Sequence, residues 1–159
     1  MKNLKTFVLP ISFVALLLGL DQLTKHLAVI YLKPIGTFHI IEGVLSLQYW
    51  ENSGMAFGLF QGGRWFFVVF TIAVLAFIIY YYITLPNTRH RPAARFFLLM
   101  LIGGALGNFV DRLLQGHVVD FIFFSLINFP IFNLADVFLV VAVFAIAAIT
   151  LFAKEPRNG

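Results

Sequence analysis

Cysteine is absent from this chain, and charge is scarce. Without a thiol there is no disulfide framework, no thiolate nucleophile and no thiolate metal site. Only 11% of the residues are charged against 61% hydrophobic, and the mean hydropathy is +0.95. A soluble domain of 159 residues needs a polar surface, which this composition does not supply. Lipid must be the solvent over much of the molecule. Also missing are H-E-x-x-H or any other ligand spacing among His26, His39, His90 and His117. No G-x-S-x-G occurs, and Ser125 has no evident histidine and acid partners. Neither a metal, a cofactor nor a serine nucleophile is expected.

Long apolar runs are what the chain does have. A spanning helix needs about 20 mostly apolar residues. Four runs qualify: Phe7 to about Ile30, Trp65 to about Leu85, Ala93 to about Leu114, and Phe132 to about Phe152. The first resembles a signal peptide in its basic start, Lys2 and Lys5. Asp21, Gln22 and Lys25 follow Leu20 where an A-x-A-like cleavage site would be, so the run reads as a retained helix. The length predicts a single integral membrane domain over 1–159.

Charge placement then gives a topology. Lys2, Lys5, Arg89, Arg91, Arg95, Lys154 and Arg157, seven of the eleven basic residues, fall on one side with one acid, Glu155. The other side holds Lys25, Lys33, Arg64 and Arg112 against Asp21, Glu42, Glu51, Asp111, Asp120 and Asp136. The positive-inside rule places both termini in the cytoplasm. The net charge of +4 is thus topology and not a nucleic-acid footprint. Two loops, about 32–63 and 115–131, face outward. "TFHIIEGVLSLQYW" alternates at Leu45, Leu47 and Tyr49 around a turn at Glu42-Gly43, which predicts a small β-hairpin. "DFIFFSLINFPIF" is too apolar for a solvated loop, and is expected to lie in the interface.

The polar residues converge in depth. With a rise of about 1.5 Å per residue, Asp21 lies roughly 21 Å from the inner end of the first run and Asp111 roughly 27 Å along the third. Asp136 lies about 6 Å into the fourth from outside. All three sit in the outer leaflet, Asp120 can reach the same level, and Asn52, Asn108, Arg112 and Asn133 accompany them. Plainer roles exist for each. Asp21 and Lys25, at i, i+4, fit an ion pair at a helix end as well as the rim of an active site. Asp111-Arg112 fits an interfacial pair with Arg112 snorkelling. Asn133 and Asp136 fit an N-cap and N3 pair. Asp120, in "HVVDFIFF", has no opposite charge within two residues and must turn inward.

Two carboxylates in a partly dry site share a proton, so one activates water while the other protonates a scissile carbonyl. On spacing alone, Asp120 and Asp136 also fit a proton relay in a small proton-coupled transporter, and a non-catalytic scaffold leaves the inward acids unexplained. Gly103 and Gly107 are spaced G-x-x-x-G, which lets membrane helices approach closely. "ENSGMAFG" predicts a turn whose backbone approaches something closely.

Together, "DQLTK" at 21–25, "NSGMAFG" at 52–58, "GGALGNFVDR" at 103–112, "VVDF" at 118–121 and "FNLAD" at 132–136 resemble the blocks of bacterial lipoprotein signal peptidase, or signal peptidase II. They occur in that family's order from the first span to the fourth. The resemblance implies an all-α membrane protein of four transmembrane helices with a small extracytoplasmic β-cradle. It implies an aspartyl endopeptidase of the cytoplasmic membrane that cuts prolipoproteins just before a diacylglyceryl cysteine, acting as a monomer among membrane lipids, with no cofactor. It places the catalytic pair on Asp120 and Asp136, and supporting or substrate-binding roles on Asp21, Asn52, Gly54, Asn108, Asp111, Arg112 and Asn133. Met55 is a looser match, where a smaller residue is expected.

Overall fold

The computed structural model describes residues 2–54, 62–86 and 90–152, with side chains from residue 7 onward. Four helices are long and apolar enough to cross a membrane: 7–32, 64–84, 91–114 and 134–152. Each starts and ends within about two residues of its apolar run in the sequence. α1 (Lys2–Leu27) continues into a π-helical turn, Ala28–Leu32; α2 is Arg64–Thr84, α3 Arg91–Leu114 and α4 Leu134–Phe152. α4 begins at Leu134 and not at Phe132, because Asn133 caps it. The Asn133 side-chain oxygen accepts the Asp136 N–H at 3.1 Å, and Asp136 Oδ2 accepts the Asn133 N–H at 3.1 Å. This reciprocal pair is a capping box.

α3 packs against the other three helices. Between α2 and α3 lies an apolar cluster of Leu75, Ile78, Leu85, Leu98, Ile102 and Ala105. The glycines of α3 set how near its neighbours come. A Cβ on Gly103 would stand 2.9 Å from Leu17 of α1; one on Gly104 would stand 2.7 Å from the Ala135 carbonyl of α4. On Gly107 it would meet Asp21 Oδ2 at 2.5 Å. The expected close packing is present, and it serves two neighbours rather than one. Outward, Phe66, Val69, Phe70, Phe77 and Phe144 are more than half exposed, as residues facing acyl chains would be.

Above one end of the bundle sits a three-stranded antiparallel sheet in the order β1-β2-β3, with β1 Thr37–Ile41, β2 Leu45–Asn52 and β3 Val118–Phe124. The β1–β2 hairpin turns at Glu42-Gly43 as expected: Val44 N–H reaches the Ile41 carbonyl at 3.0 Å, and Gly43 takes φ +70°. The third strand corrects the sequence reading, in which 115–131 is an interfacial loop. Val118–Phe124 is apolar on both faces, so no alternation marks it as a strand. Its register pairs Trp50 with Asp120, Glu51 with Val119 and Asn52 with Val118. Val119 and Phe121 pack on Ala28 and Leu32 of the π-helical turn. With a side-chain period of two, that packing turns Asp120 to the other face of the sheet.

Candidate active site

Asp120 and Asp136 open onto one cavity of about 430 Å³. β3 supplies Asp120 and the first turn of α4 supplies Asp136. Asn52, Gly54 and Arg112 also line this space. The remaining wall is apolar: Phe129 to Phe132 on one side, and Val137, Val140 and Val141 along α4. The three valines follow Asp136 at helical spacing and form one stripe.

All four carboxylate oxygens accept an N–H. Asn133 Nδ2 donates to Asp120 Oδ1 at 2.7 Å and Asn52 Nδ2 to Asp120 Oδ2 at 2.8 Å. Asn108 Nδ2 donates to Asp136 Oδ1 at 2.7 Å, and the capping bond holds Oδ2. Asn133 Nδ2 also reaches Asn108 Oδ1 at 3.1 Å, which ties the two carboxylates through a pair of amides. Arg112 donates to the Gly54 carbonyl at 3.3 Å and lies over the Phe67 ring, 4.8 Å from its centroid. That contact fixes the backbone of the turn at the cavity mouth. Met55 and the rest of the 52–58 block beyond Gly54 lie outside the described residues.

Asp21 and Asp111 do not line the cavity. They form a layer behind it, with Lys25 between them. Lys25 Nζ stands 2.8 Å from Asp21 Oδ2, 2.8 Å from Asp111 Oδ2 and 3.0 Å from Asn108 Oδ1. Asp21 also accepts the Ala135 N–H at 2.9 Å, which places an anion at the N-terminus of α4. Gln22 bridges to Asp111 Oδ1 at 2.8 Å. The Asp21–Lys25 pair expected from the i, i+4 spacing is therefore real, but Asp21 is fully buried and is no rim residue. Asp111 pairs with Lys25 of another helix and not with Arg112, which turns into the cavity instead of snorkelling. Asn108 and Asn133 link this layer to the carboxylates. Lys25 carries more of the site than its sequence position suggests, and the apolar wall was not anticipated residue by residue. The i, i+3, i+4 stripe after Asp136 was the available signal.

Burial first, and the charge of Asp136 second, push the Asp120 carboxyl up from its ordinary 3.8 to about 6, against the opposing donors of Asn52 and Asn133. Because the folded value is raised, the fold is favoured in full below the unfolded value and loses this contribution as pH rises through about 6. At about 1.4 kcal/mol per pH unit, keeping Asp120 ionised at neutral pH costs about 3 kcal/mol. Asp136→Asn removes the second cause and leaves the first. The Asp120 midpoint in that variant is expected to fall, yet to stay above 3.8. A ¹³C titration of the Asp120 carboxyl checks this, and an unmoved midpoint would mean that the two groups do not sense one another.

A sequence model of the family described as signal peptidase (SPase) II matches residues 13–152. The chain belongs to the signal peptidase II family. A lipoprotein signal peptidase of Caldanaerobacter subterraneus subsp. tengcongensis is 42% identical over 145 residues, which cover 91% of this chain and 97% of that protein. One from Brevibacillus brevis is 40% identical over 144 residues, covering 91% and 95%. A solved bacterial membrane enzyme structure, obtained by the in meso method at 2.3 Å, superposes with a TM-score of 0.81 at 33% identity over 96% of each chain. A second, at 1.9 Å, gives 0.80 at 34% identity over 93% of this chain and 96% of that one. As a signal peptidase II, the chain is a multi-pass membrane protease, and its overall fold is shared with a solved bacterial membrane enzyme.

Proposed function

We propose that aspartyl chemistry at Asp120 and Asp136 is the means by which this signal peptidase II carries out its removal of signal peptides from prolipoproteins. The observation that carries the reading is the pair of carboxylates, from β3 and α4, opening on one cavity with every oxygen already held by an N–H donor. Their remaining lone pairs are left to face water and substrate. One carboxylate takes a proton from water while the other gives its proton to the scissile carbonyl oxygen. Water oxygen bonds to the carbonyl carbon and a tetrahedral diol forms. When it collapses, one diol hydroxyl returns its proton to the pair as the carbonyl re-forms, the C–N bond breaks, and the leaving amine takes the pair's other proton, which returns the site to its starting state.

The apolar wall supports a lipidated substrate. Val137, Val140 and Val141 lead from the carboxylates along α4 into the bundle's membrane face, a path suited to acyl chains and to a signal helix. Cleavage falls just before the diacylglyceryl cysteine, since the headgroup-level carboxylates and the buried chains fix the distance between them. Both termini lie in the cytoplasm and the site lies near the outer surface, as the basic residues at 2–5 and 89–95 support. Every group of the site comes from one chain, so a monomer suffices. A relay across the membrane would need polar groups through its thickness, whereas here they gather at one end.

The test sets diacylglyceryl-modified precursor beside its unmodified form, with the purified enzyme in detergent. Modified precursor is expected to be cut before the lipidated cysteine and the unmodified one left intact; EDTA is expected to change nothing. Equal cleavage of both precursors would remove the lipid from recognition. Activity lost to EDTA and restored by zinc would overturn the aspartyl reading.

A further inference from the structure

We propose that the end of the bundle opposite the carboxylate pair holds one anionic phospholipid, seated between α1, α2 and α3 with its phosphate at Arg95. A groove of about 550 Å³ opens there. Phe13 and Leu16 of α1, Tyr82 of α2, and Arg95, Phe96 and Leu99 of α3 line it. The volume falls within the range of ordinary small-molecule sites, about 300–1,000 Å³. Phe13 and Phe96 close one wall, with ring centroids 5.1 Å apart.

Arg95 is the charged residue among those lining this groove. Its guanidinium lies over the Tyr82 ring, 5.1 Å from the centroid. Stacking orients the guanidinium but does not use its in-plane donors. The Arg95 Nε–H is buried and meets no hydrogen-bond partner among the described residues. A planar guanidinium offers donors in a fork that suits phosphate oxygens. Arg95 lies in the second turn of α3, near the positive end of that helix.

No acid of these three helices lies near Arg95. The sequence has no Asp or Glu in 1–20 or in 64–110. Asp111, the first acid along α3, lies roughly 24 Å from Arg95 by helix rise. A complementary charge has to come from outside these three helices, and the apolar walls beside the guanidinium suit a lipid as its carrier. A free phosphate would use Arg95 and leave the groove bare. A phospholipid uses both, with an acyl chain among the aromatic and leucine side chains and an anionic headgroup at the mouth. Basic pockets between membrane helices recognise anionic headgroups in this way. The inference rests on the membrane reading alone and is independent of the aspartyl chemistry.

The test uses the whole protein in detergent, with dioleoyl phosphatidylglycerol and dioleoyl phosphatidylcholine competing at equal concentration. Retained lipid is read by native mass spectrometry and stability by thermal unfolding. Phosphatidylglycerol is expected to be retained about fivefold over phosphatidylcholine, the scale of one basic residue acting on an anionic lipid. Arg95→Gln brings the ratio to near one. Ser12→Trp, at an exposed position lining the groove, fills the space and lowers retention of both lipids. Inorganic phosphate alone leaves the unfolding temperature unchanged. Equal retention of the two lipids by the unaltered protein would overturn the site, as would a preference that survives Arg95→Gln. A stabilisation by phosphate matching that of the lipid would reduce it to a free-anion contact. If Arg95→Gln does not fold, Ser12→Trp decides alone: lipid retention unchanged from the parent would end the proposal.

Discussion

Asp120→Asn and Asp136→Asn are each expected to lower the cleavage rate of a diacylglyceryl precursor by at least about 10³-fold, within the range lost when a positioned acid or base is removed. Asparagine keeps the shape of aspartate but can neither take a proton from water nor return one. The proposed substrate contacts lie mainly on the apolar wall, so KM is expected to stay close to the parent value while kcat collapses. The pair acts as a unit, and the double variant should be little slower than either single one. A further readout separates chemistry from folding. The parent loses about 3 kcal/mol of stability between pH 4 and pH 7 through Asp120, and Asp120→Asn does not. Thermal unfolding of the two proteins should thus diverge as pH rises through about 6. Substantial cleavage by either purified single variant would remove that residue from the pair.

How far the sequence foretells this site depends on what each residue's partners are. The spans are legible because about 20 apolar residues in a row have few other uses. The capping box of Asn133 and Asp136 is legible because both partners lie within one turn. Asp120 is legible as a misfit, a carboxylate among apolar neighbours that must turn inward. β3 is not legible, because a strand apolar on both faces has no period of two to read. The layer behind the carboxylates is legible only in half. Spacing pairs Asp21 with Lys25, but the third member, Asp111, arrives from α3 only because Gly107 lets α1 approach. That closeness is a property of packing, and no local pattern states it. The same holds for Arg112, whose neighbour in sequence is Asp111 and whose partner in space is the Gly54 carbonyl.

Lys25→Met is expected to destabilise the protein by about 3–5 kcal/mol, the usual loss when one member of a buried ion cluster is removed. Lys25 is 3% exposed, and the two carboxylates it faces are almost wholly enclosed. Without the ammonium, Asp21 and Asp111 are left as buried like charges. Asn108 Oδ1 also loses one of its two donors and keeps only Asn133 Nδ2. Asp21→Asn/Lys25→Met/Asp111→Asn removes every charge at once, and is expected to recover most of the lost stability, since a neutral replacement of a buried cluster is often close to harmless. An asparagine at 21 still offers an oxygen to the Ala135 N–H, so the cap on α4 survives. Thermal unfolding of the three proteins in one detergent checks the pattern. A single variant as stable as the parent would mean that the cluster holds nothing together. A triple variant as unstable as the single one would mean that the shape of the lysine stem, rather than its charge, supports the helices. Cleavage should fall in Lys25→Met along with stability, because Asn108, which presents its amide N–H to Asp136, is then held through its oxygen by one donor instead of two.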